Sequence, residues 1–182
     1  PWSFLIRIYQ LLFNILGLLP VKKKLVIFES FNGKQYSCNP RAIFEYLRIN
    51  HPEYKLLWSI DKRIQQDFEN LGIPYVKRLS IKWLFLTPRA KYWVSNSRMQ
   101  YWIKKPKHTT YLQTWHGTPL KKLGADIEEV HMPGTTTKKY KETFFKESSN
   151  WDYLISPNRY SSDIFTHAFR VPAEKILETG YP

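Results

Sequence analysis

Short apolar runs alternate with segments that carry helix-start signals along most of this chain, and few folds accommodate that order. Leu25-Val26-Ile27-Phe28 has the length of a buried strand, runs out at Glu29-Ser30 and is broken by Asn32-Gly33. Asn39-Pro40 then has the form of a helix start, with Asn39 as the cap and Pro40 at the first position of a helix through Leu47. The alternation continues with a strand over Tyr54 to Ile60, a helix capped by Asp61 and running to about Leu71, and a short strand Tyr75 to Lys77 after Gly72-Ile73-Pro74. A short helix from Ser80 to Leu86 closes before Pro88 and leads to strands over Ala90–Val94 and Thr109–Thr114. Asp152 to Ile155, a helix capped within Ser156-Pro157-Asn158, and a last strand Lys175 to Glu178 complete the series. This pattern predicts an α/β, Rossmann-like layer built on a mostly parallel sheet.

At 182 residues and 43% hydrophobic content, the chain is sized for one ordinary domain with a real core. Its one cysteine, Cys38, excludes an intramolecular disulfide framework and suits a reducing compartment. There is neither a G-x-G-x-x-G nor a G-x-x-x-x-G-K-[ST] fingerprint, so the usual phosphate-cradling glycines are missing. No Cys/His cluster has zinc-like spacing, and no metal site and no cofactor are expected. Ala125 to Ser149 is polar and reads as a long loop or lid with a short helix, a length more often functional than accidental. The sequence opens at Pro1-Trp2 without an initiator methionine, which reads as a fragment or a trimmed chain.

The formal charge is +13, which points to polyanionic partners: nucleic acid, an anionic membrane surface or phosphorylated substrates. A solvated basic face is the alternative. Basic residues from Lys77 to Lys122, Arg98 among them, interleave with Trp83, Tyr92, Trp93, Tyr101 and Trp102, a mixture that also occurs in single-strand nucleic-acid binders. Most of these aromatics lie in apolar strand and helix runs, so no nucleic-acid partner is expected.

The amino terminus carries a different signal. Between Trp2 and Leu19 the non-apolar residues Ser3, Arg7, Gln10, Asn14 and Gly17 are spaced 4, 3, 4 and 3. At about 100° per residue they form one narrow stripe on a helix otherwise covered by Leu, Ile, Phe, Tyr and Trp. Arg7, Gln10 and Asn14 would sit at a cost inside a bilayer-crossing helix, which needs about 20 apolar residues. The sequence therefore predicts an amphipathic helix over residues 1–21, closed by Pro20, that lies in a membrane interface through Trp2, Phe4, Leu5, Leu11 and Leu12, with Arg7 beside them. Lys22, Lys23 and Lys24 follow as contacts to an anionic leaflet, each contributing on the order of 1 kcal/mol. The competing reading is that the wide apolar face packs on this chain's own domain, residues 22–182, or on a partner subunit.

The stretch Leu112 to Gly124, LQTWHGTPLKKLG, places chemistry at the end of a strand. Open α/β sheets bind their ligands at the carboxyl ends of the strands, and His116 is a titratable group at such a position. Gly117 permits a substrate to approach the backbone closely, Pro119 suits the first turn of a helix, and Lys121 and Lys122 would face phosphate. A general base needs a pKa near working pH and access to a hydroxyl, and His116 meets the second requirement by position. Asp126, Glu128 and Glu129 follow either as groups that orient His116 or as a solvated acidic turn. Of the other histidines, His51 and His167 read as surface or packing residues, His108 as a solvated loop residue, and His131 as a lid residue within reach of a ligand. Ser30, Ser95 and Cys38 lack a base at diagnostic spacing.

Trp115-His116-Gly117-Thr118-Pro119-Leu120-Lys121-Lys122-Leu123-Gly124 resembles the signature of the CDP-glycerol glycerophosphotransferases of teichoic acid synthesis. Phe28 to Gly33, Asn39-Pro40, Trp151 to Pro157 and Thr179-Gly180-Tyr181-Pro182 extend the resemblance, in the family's order, from about Lys24 to the end. The resemblance implies the amino-terminal, acceptor-side domain of a GT-B-like transferase, peripheral at the cytoplasmic face of the bacterial cell membrane. It implies transfer of glycerol phosphate from CDP-glycerol to an undecaprenyl-linked acceptor. His116 matches the family's catalytic base, with Gly117, Thr118, Lys121 and Lys122 as substrate or phosphate contacts. The acceptor hydroxyl would attack the β-phosphorus and CMP would leave.

In the family a short R-N-D stretch and a second, donor-binding domain follow the G-Y-P piece, whereas this sequence stops at Pro182. The expectation is one half of an active site, inactive alone. Alternatives are transfer of ribitol phosphate, a GT-B nucleotide-sugar glycosyltransferase and a non-enzymatic module that binds anionic membrane.

Overall fold

The computed structural model describes residues 2–131 and 133–182, with Trp2 and Ser3 described by backbone alone. Every strand pairing in it is parallel. Seven strands form one sheet in the order β3-β2-β1-β4-β5-β6-β7. They are β1 (Lys22–Glu29), β2 (Lys55–Ile60), β3 (Tyr75–Lys77), β4 (Ala90–Ser95), β5 (Thr110–Gln113), β6 (Tyr153–Ser156) and β7 (Ile176–Glu178). The first strand starts earlier than its apolar run, because Lys22, Lys23 and Lys24 extend it as an exposed end while its last five residues are buried.

Alternation along the strands divides the core between two faces. Leu25 and Ile27 point to one face, with Trp93 and Tyr111, and are covered by α1 (Trp2–Leu16), α4 (Ile81–Leu86), α5 (Thr137–Ser148) and α6 (Arg159–Ala168). Val26 and Phe28 point to the other, with Trp58 and Val94, beneath Phe44 of α2 (Cys38–Asn50) and Phe68 of α3 (Gln65–Asn70). Helix starts follow local chemistry: Asp61, Ser80 and Asn158 each accept a backbone N–H of the turn they open.

The segment from Ala125 to Ser149 is only half a loop. Thr136 caps α5 by accepting from Lys139 N at 3.2 Å, and Phe144, Glu147 and Ser148 of this helix are buried. Its polar sequence concealed one apolar edge. Phe144 stacks on Phe169, with ring centroids 5.2 Å apart.

The amino-terminal helix shows a division that neither sequence reading contained. It packs on its own domain with a narrow face, and that face includes part of the polar stripe. Phe13 is 1% exposed, with its ring 5.7 Å from Trp83 and 6.2 Å from Trp93. Tyr9 donates to Ser80 O at 3.3 Å, and Gln10 Nε2 donates to Trp102 O at 2.8 Å. The wide apolar face stays outside: Phe4, Ile8, Leu11, Ile15 and Leu18, spaced 4, 3, 4 and 3, are exposed, as are Leu5 and Leu12. The α-helix stops at Leu16, short of Pro20, and Leu18 and Leu19 continue as tighter turns onto Ile15 O and Leu16 O. Among the described residues no helix is long and apolar enough to cross a membrane.

Candidate active site

The chain leaves β1 outward to β2 and β3, then returns to place β4 on the other side of β1. The strand order reverses there, and ligands of open α/β sheets bind in the crevice at the carboxyl ends of such strands. Ser30 to Gly33 follow β1, Asn96 to Tyr101 follow β4, and Thr114 to Leu123 follow β5, so all three loops meet at that crevice. The lysines 22 to 24 lie at the opposite end of β1, about 25 Å away along the strand.

His116 is held from several directions. Trp115 at φ +54° and Gly117 at φ +151° place a sharp left-handed bend on each side of it. His116 Nδ1 lies 2.5 Å from the main-chain oxygen of Asn96. Trp115 stacks on its ring at 4.4 Å, and Phe31 meets its edge at 5.3 Å. Because a carbonyl oxygen only accepts, Nδ1 carries the proton and Nε2 keeps its lone pair. The exposed ring thereby presents Nε2 as its free acceptor atom.

Asn39 does not cap α2. Ser37 occupies that position, Cys38 takes φ +63°, and the Asn39 side chain turns inward, 7% exposed. Its Nδ2 donates to Thr114 O and Trp115 O, each at 3.2 Å, and so holds the residues entering the histidine bend. Tyr181 closes the far side: its hydroxyl donates to Gly117 O at 2.8 Å and accepts from Gly117 N at 3.4 Å. Asn96 joins the first two loops, accepting from Phe31 N at 2.9 Å and donating to Ser30 Oγ at 3.1 Å. The Ser95-Asn96-Ser97 strand end was visible in the sequence, but nothing there linked it to His116.

Pro119 does not open a helix. Residues 115–123 are irregular, Pro119 is buried, and its carbonyl accepts from Tyr160 at 3.3 Å. Gly124 ends this stretch at φ +51°, where an added Cβ would lie 2.2 Å from Ala168 O. The motif's last glycine is therefore a close-approach position against α6. Thr118 and Lys121 are exposed beside the histidine, and Lys122 pairs with Glu128.

No carboxylate of the acidic turn reaches His116. Asp126 pairs with His167 Nδ1 at 2.6 Å, and exposed Glu129 lies 3.5 Å from exposed His131. His51 is half-buried at the surface near Glu53, as a surface or packing residue should be. His108 departs from its expected solvated place, for its Nε2 is bonded to Pro88 O at 2.8 Å.

A cavity of about 480 Å³ opens beside His116, between the loop after β4 and the inner face of α5. Its wall includes Asn32, Arg98, Gln100 and Tyr140, with Glu147 at its base. Glu147 is 1% exposed and accepts from Met99 N at 3.1 Å, Tyr111 Oη at 3.0 Å and Trp151 Nε1 at 2.8 Å. Burial pushes its carboxyl up to about 7, against the opposing pull of these donors and of Arg98.

Comparison with known proteins gives this geometry its context. Residues 11–182 match the family described as CDP-Glycerol:Poly(glycerophosphate) glycerophosphotransferase. The chain belongs to that family. It is 65% identical over 176 residues to a teichoic acid poly(glycerol phosphate) polymerase of Bacillus subtilis (strain 168), covering 97% of this chain and 24% of that protein. To a teichoic acid glycerol-phosphate transferase of Staphylococcus aureus (strain NCTC 8325 / PS 47) it is 53% identical over 170 residues, covering 93% and 43%. A solved structure of the wall teichoic acid polymerase TagF, soaked with CDPG, superposes with a TM-score of 0.85 at 41% identity, covering 99% of this chain and 45% of that one. The chain thus spans between about a quarter and a half of the relatives it matches. Its fold is the α/β, Rossmann-like layer of a GT-B-like protein that the sequence led us to expect.

Proposed function

We propose that this chain is the acceptor-side domain, residues 22–182, of a teichoic acid glycerophosphotransferase, with the segment 1–21, which carries α1, as its membrane contact. The whole enzyme transfers glycerol phosphate from CDP-glycerol to an undecaprenyl-linked acceptor at the cytoplasmic face of the cell membrane. The acceptor hydroxyl oxygen forms a new bond to the β-phosphorus of CDP-glycerol, the bond to the CMP oxygen breaks, and the hydroxyl proton passes to His116 Nε2. Gly117, Thr118 and Lys121 border the reacting phosphate, and Lys122 contributes from its pairing with Glu128. CDP-glycerol is held mostly by residues outside this chain, in keeping with the 24% and 43% of the relatives' length that the chain covers. Glycerol rather than ribitol phosphate is favoured by relatives that are named for glycerol phosphate.

The observation that carries this reading is the Nδ1–H of His116 given to Asn96 O, which leaves Nε2 free at the strand-order reversal. His116→Ala in the enzyme at its relatives' full length is the test, read as CMP release and acceptor extension. Loss of a general base lowers turnover about 10²–10⁴-fold. Transfer near the parental rate in a variant of unchanged thermal midpoint removes His116 from that role.

A further inference from the structure

Arg98 is the one strongly basic side chain in the wall of the cavity beside His116; its charge is felt by buried Glu147, yet it forms no ion pair among the described residues. Arg41, Arg63, Arg78 and Arg159 each pair with a carboxylate, and Arg98 pairs with none among the described residues. The chain immediately around it is fixed. Ser97 Oγ accepts from Asn32 N at 2.9 Å, and Met99 N donates to Glu147 at 3.1 Å, so the backbone on both sides of Arg98 is anchored.

Its guanidinium lies over two rings of α5, 4.4 Å from the centroid of Phe144 and 5.4 Å from that of Tyr140. Stacking of this kind holds the planar group in place and leaves its edge N–H donors unspent. The nearest buried carboxylate, Glu147, already accepts from Met99, Tyr111 and Trp151, so it does not occupy the guanidinium edge. An anchored, half-buried guanidinium with free donors in a cavity of about 480 Å³ is suited to a planar pair of oxyanion oxygens. That volume falls in the range of small-ligand sites, about 300–1,000 Å³.

Asn32, Gln100 and Thr143 add uncharged polar groups to a wall that also carries Tyr101, Trp115 and the buried Glu147. A carbohydrate-like chain of hydroxyls and phosphates fits such a surface better than an apolar ligand does. We propose that Arg98 anchors a phosphate of the acceptor's terminal glycerol phosphate unit, which places that unit's hydroxyl at His116 Nε2. This rests on the base role given to His116 above and adds to it the residue that selects a phosphorylated acceptor. The same charge also orders the two substrates, because a phosphate held at Arg98 belongs to the acceptor and leaves the β-phosphate of the donor to the other side of His116.

The test uses a short glycerol phosphate oligomer titrated into the chain by calorimetry, with glycerol and CDP-glycerol as separate titrants. Arg98→Gln is expected to weaken oligomer binding about 10- to 100-fold, the range for a lost hydrogen bond to a charged group. Arg98→Lys, which keeps the charge without the fork, should fall between, and His116→Ala should bind the oligomer as the parent does. In the enzyme at its relatives' full length, Arg98→Gln should raise the KM for acceptor and leave that for CDP-glycerol unchanged. Parental oligomer affinity in Arg98→Gln, no oligomer binding by the parent, or a rise in the donor KM instead would each overturn the assignment. If His116→Ala abolishes transfer while Arg98→Gln leaves the acceptor KM alone, the phosphate anchor fails and the base stands. If His116→Ala transfers normally, the base itself fails.

Discussion

The imidazole of His116 gives its Nδ1 proton to the main-chain oxygen of Asn96, a residue twenty positions earlier at the end of a different strand. In many acid–base sites a carboxylate performs this orientation. Here a carbonyl does it, so the tautomer is set without a negatively charged side chain beside the ring. The arrangement depends on β4 and β5 ending side by side, which their register provides through Ser95 opposite Gln113.

Asn39 is the removable part of that arrangement. Its two donations to Thr114 O and Trp115 O cross from α2 to the histidine bend. Asn39→Leu keeps the volume, strips Thr114 O of its partner and leaves Trp115 O with Thr114 Oγ1 alone, at a cost of about 1–3 kcal/mol. In the enzyme at its relatives' full length, turnover should fall with little change in either KM, since the loss lies in where His116 sits. Steady-state kinetics together with urea unfolding check this; unchanged turnover in the destabilised variant would confine Asn39 to a structural role.

Tyr181 tests the other side of the bend. Tyr181→Phe removes the hydroxyl that donates to Gly117 O and should cost about 0.5–1.5 kcal/mol of stability. Because Gly117 at φ +151° has no side-chain packing to hold it, the loss should also appear as faster amide exchange at Gly117 and Thr118. Hydrogen-exchange rates at those two amides equal to the parent's would show that the bend is held without Tyr181.

Glu147 gives the chain a pH dependence of definite sign. Its folded pKa of about 7 lies above the ordinary 4.5, so the folded chain keeps a proton that the unfolded chain has released. This contribution to stability is fully present below pH 4.5 and is lost as the pH rises toward 7. At about 1.36 kcal/mol per pKa unit, the loss is on the order of 3 kcal/mol. Urea unfolding at pH 5 and pH 8 should therefore show the parent losing stability relative to Glu147→Gln across that interval. Parallel curves for the two proteins would mean that Glu147 is ionised throughout.

The sheet was legible in the sequence because buried parallel strands are short apolar runs, and seven of them stood between recognisable caps and turns. What escaped was long-range. Asn39 next to Pro40 has every local mark of a cap, yet its side chain serves a loop 75 residues away. Pro119 carries a helix-start signal, but the motif around it is committed to reaching α6, where Gly124 meets Ala168. His116 was found by its place at a strand end. Its partner was not, because a main-chain carbonyl leaves no trace in residue types. Arg98 stood among many basic residues, and its place in the wall of the cavity beside His116 is what separates it from them.

The amino-terminal helix turns an outer and an inner face from residues two positions apart. Leu11 is 59% exposed on the outer face, and Phe13 is 1% exposed against Trp83 and Trp93. Leu11→Glu should leave stability within about 0.5 kcal/mol of the parent, as for other surface substitutions. It should nevertheless reduce retention on anionic liposomes, since a charge then sits in the apolar stripe that enters the interface. Phe13→Ala should do the reverse, costing about 3–5 kcal/mol of stability while the folded fraction still binds vesicles. Co-sedimentation with vesicles and urea unfolding of both variants decide the matter. Full retention of Leu11→Glu at raised salt, where the lysines at 22 to 24 are screened, would remove the helix face from membrane contact.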